Sequence, residues 1–459
     1  MRHTLMSDFA EARQSQTTSL AEILGAFSYA LDMTEGQPEG HSLRCCWIAS
    51  TLAAELGLSD NERRTIYYAT LLKDLGCSSN AARIAELYQT DDRSFKHGYK
   101  LVEQGIGPTL RFVFDKTGRG LPLNARAKAI LHILRDGPAI TQDLITARCT
   151  RGAEIARRLR FPEPVAQAIH ALDEHWDGGG KPMGLSGSAI PLAARLALLA
   201  QIIDVFHSAG GPVAAHEEVL ARSGTWFDPQ LVQLFSRLCL TGDFWADLSD
   251  PALEIRVRCF EPLAERVVLD EDYLDDIAAA FGEVIDAKSP YTSGHSCRVG
   301  NYAHAIARTL GMGAADLRTL RRAAVLHDVG KLAVSSRVLE KPGKLDELEW
   351  EEMRSHAAHT TAILSRITPL REMAAIAGAH HERLDGKGYP LGLDQMMIAR
   401  EARIITVADF YDALTADRPY RGALPNEKAL AIMAAEVGHA IDGECFAALS
   451  DIVNSTDAP

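Results

Sequence analysis

Four short stretches carry side chains able to hold a metal ion: His295 in "SGHS", His327-Asp328 in "AAVLHDVGK", His356 in "RSHAAH", and His380-His381 in "AHHERLDGKGYP". Asp409 in "TVADFYD" adds a carboxylate. Imidazoles mixed with carboxylates suit Fe or Mn, and Zn or Ni also bind such sets tightly. A lone histidine on an apolar face is more often a satisfied core residue than a ligand. Neighbours on a helix point about 100° apart, so the pair His380-His381 can serve two ions. The His327-Asp328 pair offers one nitrogen and one oxygen from a single place.

The elements that must position these groups read as helices. Val299, Tyr302, Ile306 and Leu310 recur at spacings of three and four, with His295 one turn before them on that face. Leu317, Leu320 and Ala324 lead in the same way to His327 and Asp328. Met353, His356, Thr360, Ile363 and Ile367 form a third stripe, and Ala402, Ile405, Asp409 and Asp412 a fourth. Ionisable groups therefore recur on faces that should point inward. Burying one unpaired charge is costly, so several aimed at one core need a shared partner, and a metal cluster supplies it. The reading is all-α throughout.

The chain also repeats itself. "AFSYALDMTEGQPEGHS" (26–42) aligns without gaps to "AFGEVIDAKSPYTSGHS" (280–296), an offset of 254. His41 to Asp74 and His295 to Asp328 both span 33 residues. "DEHWDGGGKPMGL" (173–185) mirrors "HERLDGKGYPLGL" (381–393), and "LLAQIIDVF" (198–206) mirrors "IITVADFYD" (404–412), with Asp204 read as facing Asp409 one place out of register. "FDPQLVQLF" (227–235) matches "IDGECFAAL" (441–449). Five such matches in one order describe a duplicated helical bundle. The expected division is 1–242 for the first copy, 243–272 for a linker with a connecting helix, and 273–459 for the second copy. The first copy carries about 46 extra residues between Asp74 and the "TRGAEIARRL" helix.

The copies differ where it matters. Lys73 stands for His327, Arg148 for His356, Leu172 for His380 and Asp173 for His381, while His41, Asp74 and Asp204 survive. Each half has eight histidines, so placement and not number separates them. Two cations and a leucine cannot replace imidazoles around a metal, so the first copy should hold none.

A net charge of −13 argues against nucleic acid or an anionic membrane as the main partner. The longest apolar stretch, 191–206, is broken by Arg195, Gln201 and Asp204, so no membrane span is expected. Asp8 and Glu11 fall where a leader peptide needs an apolar core. Eight scattered cysteines suit a reducing cytosol better than a disulfide framework. A cytoplasmic protein is the expectation.

Residues about 274–453 resemble the HD-GYP family, a subgroup of HD-domain metal phosphohydrolases that hydrolyse cyclic di-GMP. The resemblance rests on "YTSGHSCRV" (291–299), "LHDVGK" (326–331), "EKPGKL" (340–345), "SH" (355–356), "HHERLDGKGYP" (380–390) and "VADFYDALTADRPYR" (407–421). The first copy resembles a degenerate member, with "GKP" (180–182) for GYP. The resemblance implies tandem HD-domain bundles, with two divalent ions held by His295, His327, Asp328, His356, His380, His381 and Asp409. Asp328 would bridge the ions and Lys331 would reach a substrate phosphate. Gly388, Tyr389 and Pro390 would form the signature loop beside the site, and Arg418 and Arg421 would contact phosphate or guanine. Asp412 would orient a ligand imidazole. Some members use a glutamate four residues before the first histidine for a third metal, but Tyr291 stands there, so two ions are expected.

What the resemblance implies for function is hydrolysis of cyclic di-GMP to pGpG, GMP or both, by a hydroxide held between the metals. The alternatives are hydrolysis of another cyclic dinucleotide such as cyclic GMP-AMP, or a nucleotide-responsive scaffold that binds a signalling protein through the GYP loop. The first copy is expected to dock on the second and to support a homodimer.

Overall fold

The computed structural model describes residues 20–103, 105–240, 243–261, 269–417 and 421–455. The N-terminal residues considered above for a leader and Arg418 lie outside them. Among the described residues the chain is helical, with two isolated bridges and no strand. All eight cysteines are free.

The same local devices start corresponding helices in both halves. Gly40 (φ 82°) precedes the helix His41–Glu55, and Gly294 (φ 69°) precedes His295–Thr309. Only a residue without a Cβ takes that left-handed turn freely, and it sets the histidine at the first helical position. Asp32 accepts from the Ser42 hydroxyl at 2.6 Å, and Asp286 from the Ser296 hydroxyl at 2.7 Å. The helix Glu347–Ser365, which carries His356, starts with a reciprocal cap between Asp346 and Glu349.

The extra residues of the first copy form the helices Asp92–Lys100 and Ile106–Lys116 and the long lead-in of Leu123–Arg158. They build a small apolar cluster of their own, with Ile84, Tyr88, Phe95, Val113, Ile133 and Ile140. Residues 243–261, read as linker, hold the short helices Phe244–Leu248 and Leu253–Cys259. Phe244 packs on Trp47 with ring centroids 5.0 Å apart.

The 191–206 stretch belongs to a 30-residue helix, Leu192–Ala221, that bends at Gly211. By length and composition alone it could cross a membrane, although 67% of its most apolar window is buried inside the fold. It is the core helix of the first half. Arg195 is tied to Asp228 at 2.7 Å, and Asp204 to His41 at 2.6 Å.

One hydrophobic core runs from Leu20 to Leu449 and joins the halves. At its centre Phe27 stacks on Phe281, centroids 3.6 Å apart and planes within 10°. These two residues are 254 apart, the offset of the repeat. Across the halves, Tyr273 donates to the carbonyl of Leu159 at 2.8 Å and the Ser336 amide to Asp92 at 2.8 Å.

Candidate metal centre

Five elements of the second half converge. His295 opens its helix, and His327 caps the end of Ala314–Leu326, with Asp328 leading into the turn Val329–Ala333. His356 projects from Glu347–Ser365, and Asp409 from Arg400–Thr415. His380 and His381 do not lie on a helix, as their spacing suggested. They occupy the turn after Arg371–Gly378, where the helix has run out and backbone direction is free to aim both rings.

The two oxygens of Asp328 face different partners. Oδ2 lies 3.3 Å from His295 Nε2 and 3.2 Å from His327 Nε2. Oδ1 lies 3.5 Å from His356 Nε2 and 3.7 Å from His380 Nε2. Asp409 Oδ1 joins the first group, 3.5 Å from His295 Nε2 and 3.8 Å from His327 Nε2. His381 joins the second, since ligand atoms of His356, His380 and His381 all lie within 4.8 Å of one another. The structure therefore brings all seven expected ligands together, as two triads sharing one carboxylate.

Hydrogen bonds fix what each ring offers. Nδ1 of His327 meets the carbonyl of Ala324 at 2.7 Å, that of His356 meets Met353 at 2.5 Å, and that of His380 meets Ala377 at 2.6 Å. A carbonyl can only accept, so each Nδ1 carries the proton and each Nε2 turns a lone pair inward. His295 Nε2, His327 Nε2 and Asp328 Oδ1 are buried with no hydrogen-bond partner. Buried polar atoms rarely lack one. Inward lone pairs, orphaned and of mixed N and O type, fit divalent cations of the Fe, Mn, Zn and Ni kind.

Electrostatics agree. Burial holds the imidazoles of His356 and His380 neutral, lowering them to about 4 and about 3. Burial works against the charge on Asp328 too, but His327 and Lys331 overcome it and keep the carboxyl well below its ordinary range. His295 is the exception: burial lowers it, yet the surrounding carboxylates of Asp328, Asp412 and Asp409 lift it to about 9.

Around the ligands, Asp412 accepts from His295 Nδ1 at 2.7 Å and from Arg298 Nε at 2.6 Å. Lys331 is paired with Asp328. The Tyr389 ring lies 4.7 Å from that of His381. A Cβ on Gly388 would come within 2.4 Å of the Arg383 amide nitrogen, so only glycine lets the loop fold this tightly. Arg421 donates to the carbonyls of Ala413 and Leu414, at 2.8 Å to the former. Tyr291 is partly exposed, in the turn Pro290–Thr292.

Sequence reasoning passed over three residues. Glu382 is buried and accepts the amides of Leu391 and Leu393 at 2.7 and 2.9 Å, pinning the signature loop. Thr360 accepts from the Gly330 amide and donates to the His327 carbonyl at 2.8 Å. Arg298 clamps Asp412. The signal for Arg298 was its repetition, Arg44 following His41 at the same interval.

The first half answers one pairing differently. His41 Nδ1 meets Asp204 at 2.6 Å and Arg44 Nε meets it at 2.5 Å, the same pattern that His295 and Arg298 make with Asp412. Asp204 is thus the counterpart of Asp412, and Gln201, three residues earlier, of Asp409. Two donor trios exist there, His41-Cys45-Asp204 and Glu35-Asp74-Cys77. Cations already neutralise their carboxylates: Arg44 on Asp204, Lys73 on Asp74, and Lys96 and Lys100 on Glu35 at 3.2 and 2.7 Å.

An HD domain family model matches residues 128–231 and 280–445, together more than half of the chain. The chain belongs to the HD-domain family, in its HD-GYP branch. It is 50% identical over 438 residues, 95% of each chain, to the 3'3'-cGAMP-specific phosphodiesterase 3 of Vibrio cholerae serotype O1. It is 38% identical over 200 residues, 43% of this chain and 52% of the other, to the cyclic di-GMP phosphodiesterase response regulator RpfG of Xanthomonas campestris pv. campestris. Among solved structures it is similar to V-cGAP3, a cyclic GMP-AMP specific phosphodiesterase of V. cholerae. That match has a TM-score of 0.65 at 45% identity and covers 95% of this chain and 98% of that one.

Proposed function

We propose that this HD-GYP protein is a metal-dependent phosphodiesterase of cyclic dinucleotides, with 3'3'-cGAMP as its first substrate and cyclic di-GMP as its second. The observation that carries the hydrolytic reading is the division of Asp328, one oxygen toward His295 and His327 and the other toward His356 and His380. His295, His327 and Asp409 would hold one divalent ion and His356, His380 and His381 the other, with Asp328 between them. Two such ions, Fe or Mn suiting the mixed donors, supply activation of water and neutralisation of phosphodiester charge when bound.

The chain's own groups do the rest. Lys331 brings a further cation to the bridging carboxylate, where an incoming phosphate would need it. Tyr389, packed against His381, gives the site a flat apolar wall beside a ligand ring. Glu382 and the crowded Gly388 keep that wall in place. Arg421, committed to two carbonyls, anchors the end of the Arg400–Thr415 helix rather than reaching for phosphate.

The order of substrates reverses the sequence reading, which put cyclic di-GMP first. Relatives of both kinds match the chain, but 50% identity to the 3'3'-cGAMP enzyme across 95% of the chain extends to the first half as well, whereas the match to the cyclic di-GMP enzyme covers 43% of it. The experiment is a panel of 3'3'-cGAMP and cyclic di-GMP with purified, metal-assayed protein, beside the double variant His327→Ala/Asp328→Ala. Turnover of 3'3'-cGAMP should be the faster, and the double variant should stay folded with no turnover. Faster cyclic di-GMP hydrolysis would reverse the order again, and an active double variant would end the metal reading.

A further inference from the structure

Beside the place that corresponds to the metal centre in the first half, where Lys73 and Asp74 are buried as a pair, there is open space. It is a cavity of about 370 Å³ lined by three counterparts of the expected ligands, Arg148 for His356, Asp173 for His381 and Gln201 for Asp409, and by Gly180-Lys181 for Gly388-Tyr389. That volume lies at the small end of ligand pockets, enough for one nucleotide unit rather than a whole cyclic dinucleotide.

Its chemistry is that of an anion site with a flat apolar wall. Lys96, Lys100, Arg148 and Lys181 face two carboxylates, Glu35 and Asp173, an excess of two positive charges (4 − 2) in a chain of net charge −13. Lys100 pairs with Glu35 at 2.7 Å, Lys96 stands between Glu35 at 3.2 Å and Asp92 at 4.0 Å, and Lys181 has no ion pair among the described residues. Tyr88, Phe95 and Tyr99 form one wall, with Phe95 and Tyr99 parallel to within 8°. Trp226 also lines the cavity, stacked on His175 at 4.1 Å. Two buried amide oxygens lining the space, Asn80 Oδ1 and Gln201 Oε1, have no hydrogen-bond partner. Amides left open in this way are what reads a base edge, as aromatic faces are what stacks it.

We propose that the first half binds a nucleotide without hydrolysing it: a nucleoside monophosphate unit, its phosphate among Lys96, Lys100 and Lys181 and its base between the aromatic walls. The helix Asp92–Lys100 connects this pocket to the second half. Phe95, Lys96, Tyr99 and Lys100 line the cavity, while at its other end Asp92 accepts the Ser336 amide and Arg93 reaches Glu352 at 3.0 Å and the Ala333 carbonyl. Ala333 closes the turn that begins at Asp328 and Lys331. A ligand on the helix therefore acts on the element that carries the bridging carboxylate.

The test uses the full-length holoprotein with GMP and AMP, which a phosphodiesterase does not consume. Binding is followed by calorimetry and by the part of the tryptophan quenching that is lost in Trp226→Phe, since the chain has five tryptophans. Tyr99→Ala and Lys181→Glu, at the accessible rim, leave the buried Glu35 cluster intact. Each should weaken mononucleotide binding by about tenfold or more, with cyclic dinucleotide turnover unchanged when no mononucleotide is present. A linear dinucleotide and 3'3'-cGAMP form parallel arms, and whichever binds more tightly at the Trp226-reported site identifies the source of the unit. Equal affinity for inorganic phosphate overturns the proposal, as does mononucleotide binding that both variants leave unchanged or that is absent in the wild type. Because the readout is binding in the first half, it stands or falls separately from the substrate assigned to the second.

Discussion

Asp412 takes a hydrogen bond from His295 Nδ1 at 2.7 Å and two from Arg298, and it is held down to about 2 by those partners against the opposing effect of burial. It fixes which nitrogen of His295 faces the other ligands. Asp412→Asn keeps the shape and removes the charge. The expected outcome is metal affinity weakened by about ten- to a hundredfold, with the melting temperature little changed, measured by competition against a chelator. Unaltered affinity would make the contact merely structural. At this scale the side chains that converge were legible in the sequence, because His327-Asp328 and His380-His381 announce themselves by adjacency. Arg298 and Glu382 were harder to read, since a charged residue beside a motif reads as solvated surface until its partner is in view, and for Arg298 only the repetition of Arg44 after His41 hinted otherwise.

At the scale of the helices, the spacings of three and four found the right faces, but they could not decide between Asp409 and Asp412. Both lie on the inward side of Arg400–Thr415, one turn apart, so pairing Asp204 with either satisfies the same periodicity. Only the shared partners, His41 with Arg44 and His295 with Arg298, resolve it. Close helix contacts were equally hidden. A Cβ on Gly330 would sit 1.9 Å from the His356 carbonyl oxygen, and one on Gly76 1.9 Å from that of Arg148. Gly330→Ala must push away the helix carrying His356 and Thr360, so turnover should collapse together with a stability loss of about 1–3 kcal/mol. Gly76→Ala should lose comparable stability in denaturant melts, while turnover per folded molecule is kept. Equal loss of turnover in both would mean the first half's helix contact feeds directly into catalysis.

Across the whole molecule, equivalent residues meet: Phe27 and Phe281, 254 apart in sequence, are stacked face to face. Two copies that touch at matching positions are related by an approximate two-fold axis through that contact, so the chain is built like a dimer fused end to end. Repetition made the duplication legible, but not this axis, because nothing in a single copy says which face it turns to its twin. The approximate symmetry breaks at Lys288, fully buried at the junction, where its ammonium meets the Leu332 carbonyl at 2.9 Å and stands 3.9 Å from Asp92 of the first half. Burial is the main cause that lowers it from 10.5 to about 8. Between those two values the unfolded chain holds a proton on Lys288 that the folded chain has released. Stability attributable to this residue must therefore rise with pH across that window, and fall away as pH drops through about 8. Lys288→Met removes the titration and keeps the length of the side chain. The denaturation midpoint of the wild type, measured relative to that of Lys288→Met, should climb as pH goes from about 8 to 10.5. A difference that stays flat or declines would mean that Lys288 keeps its charge on folding, with Asp92 as a full ionic partner across the junction.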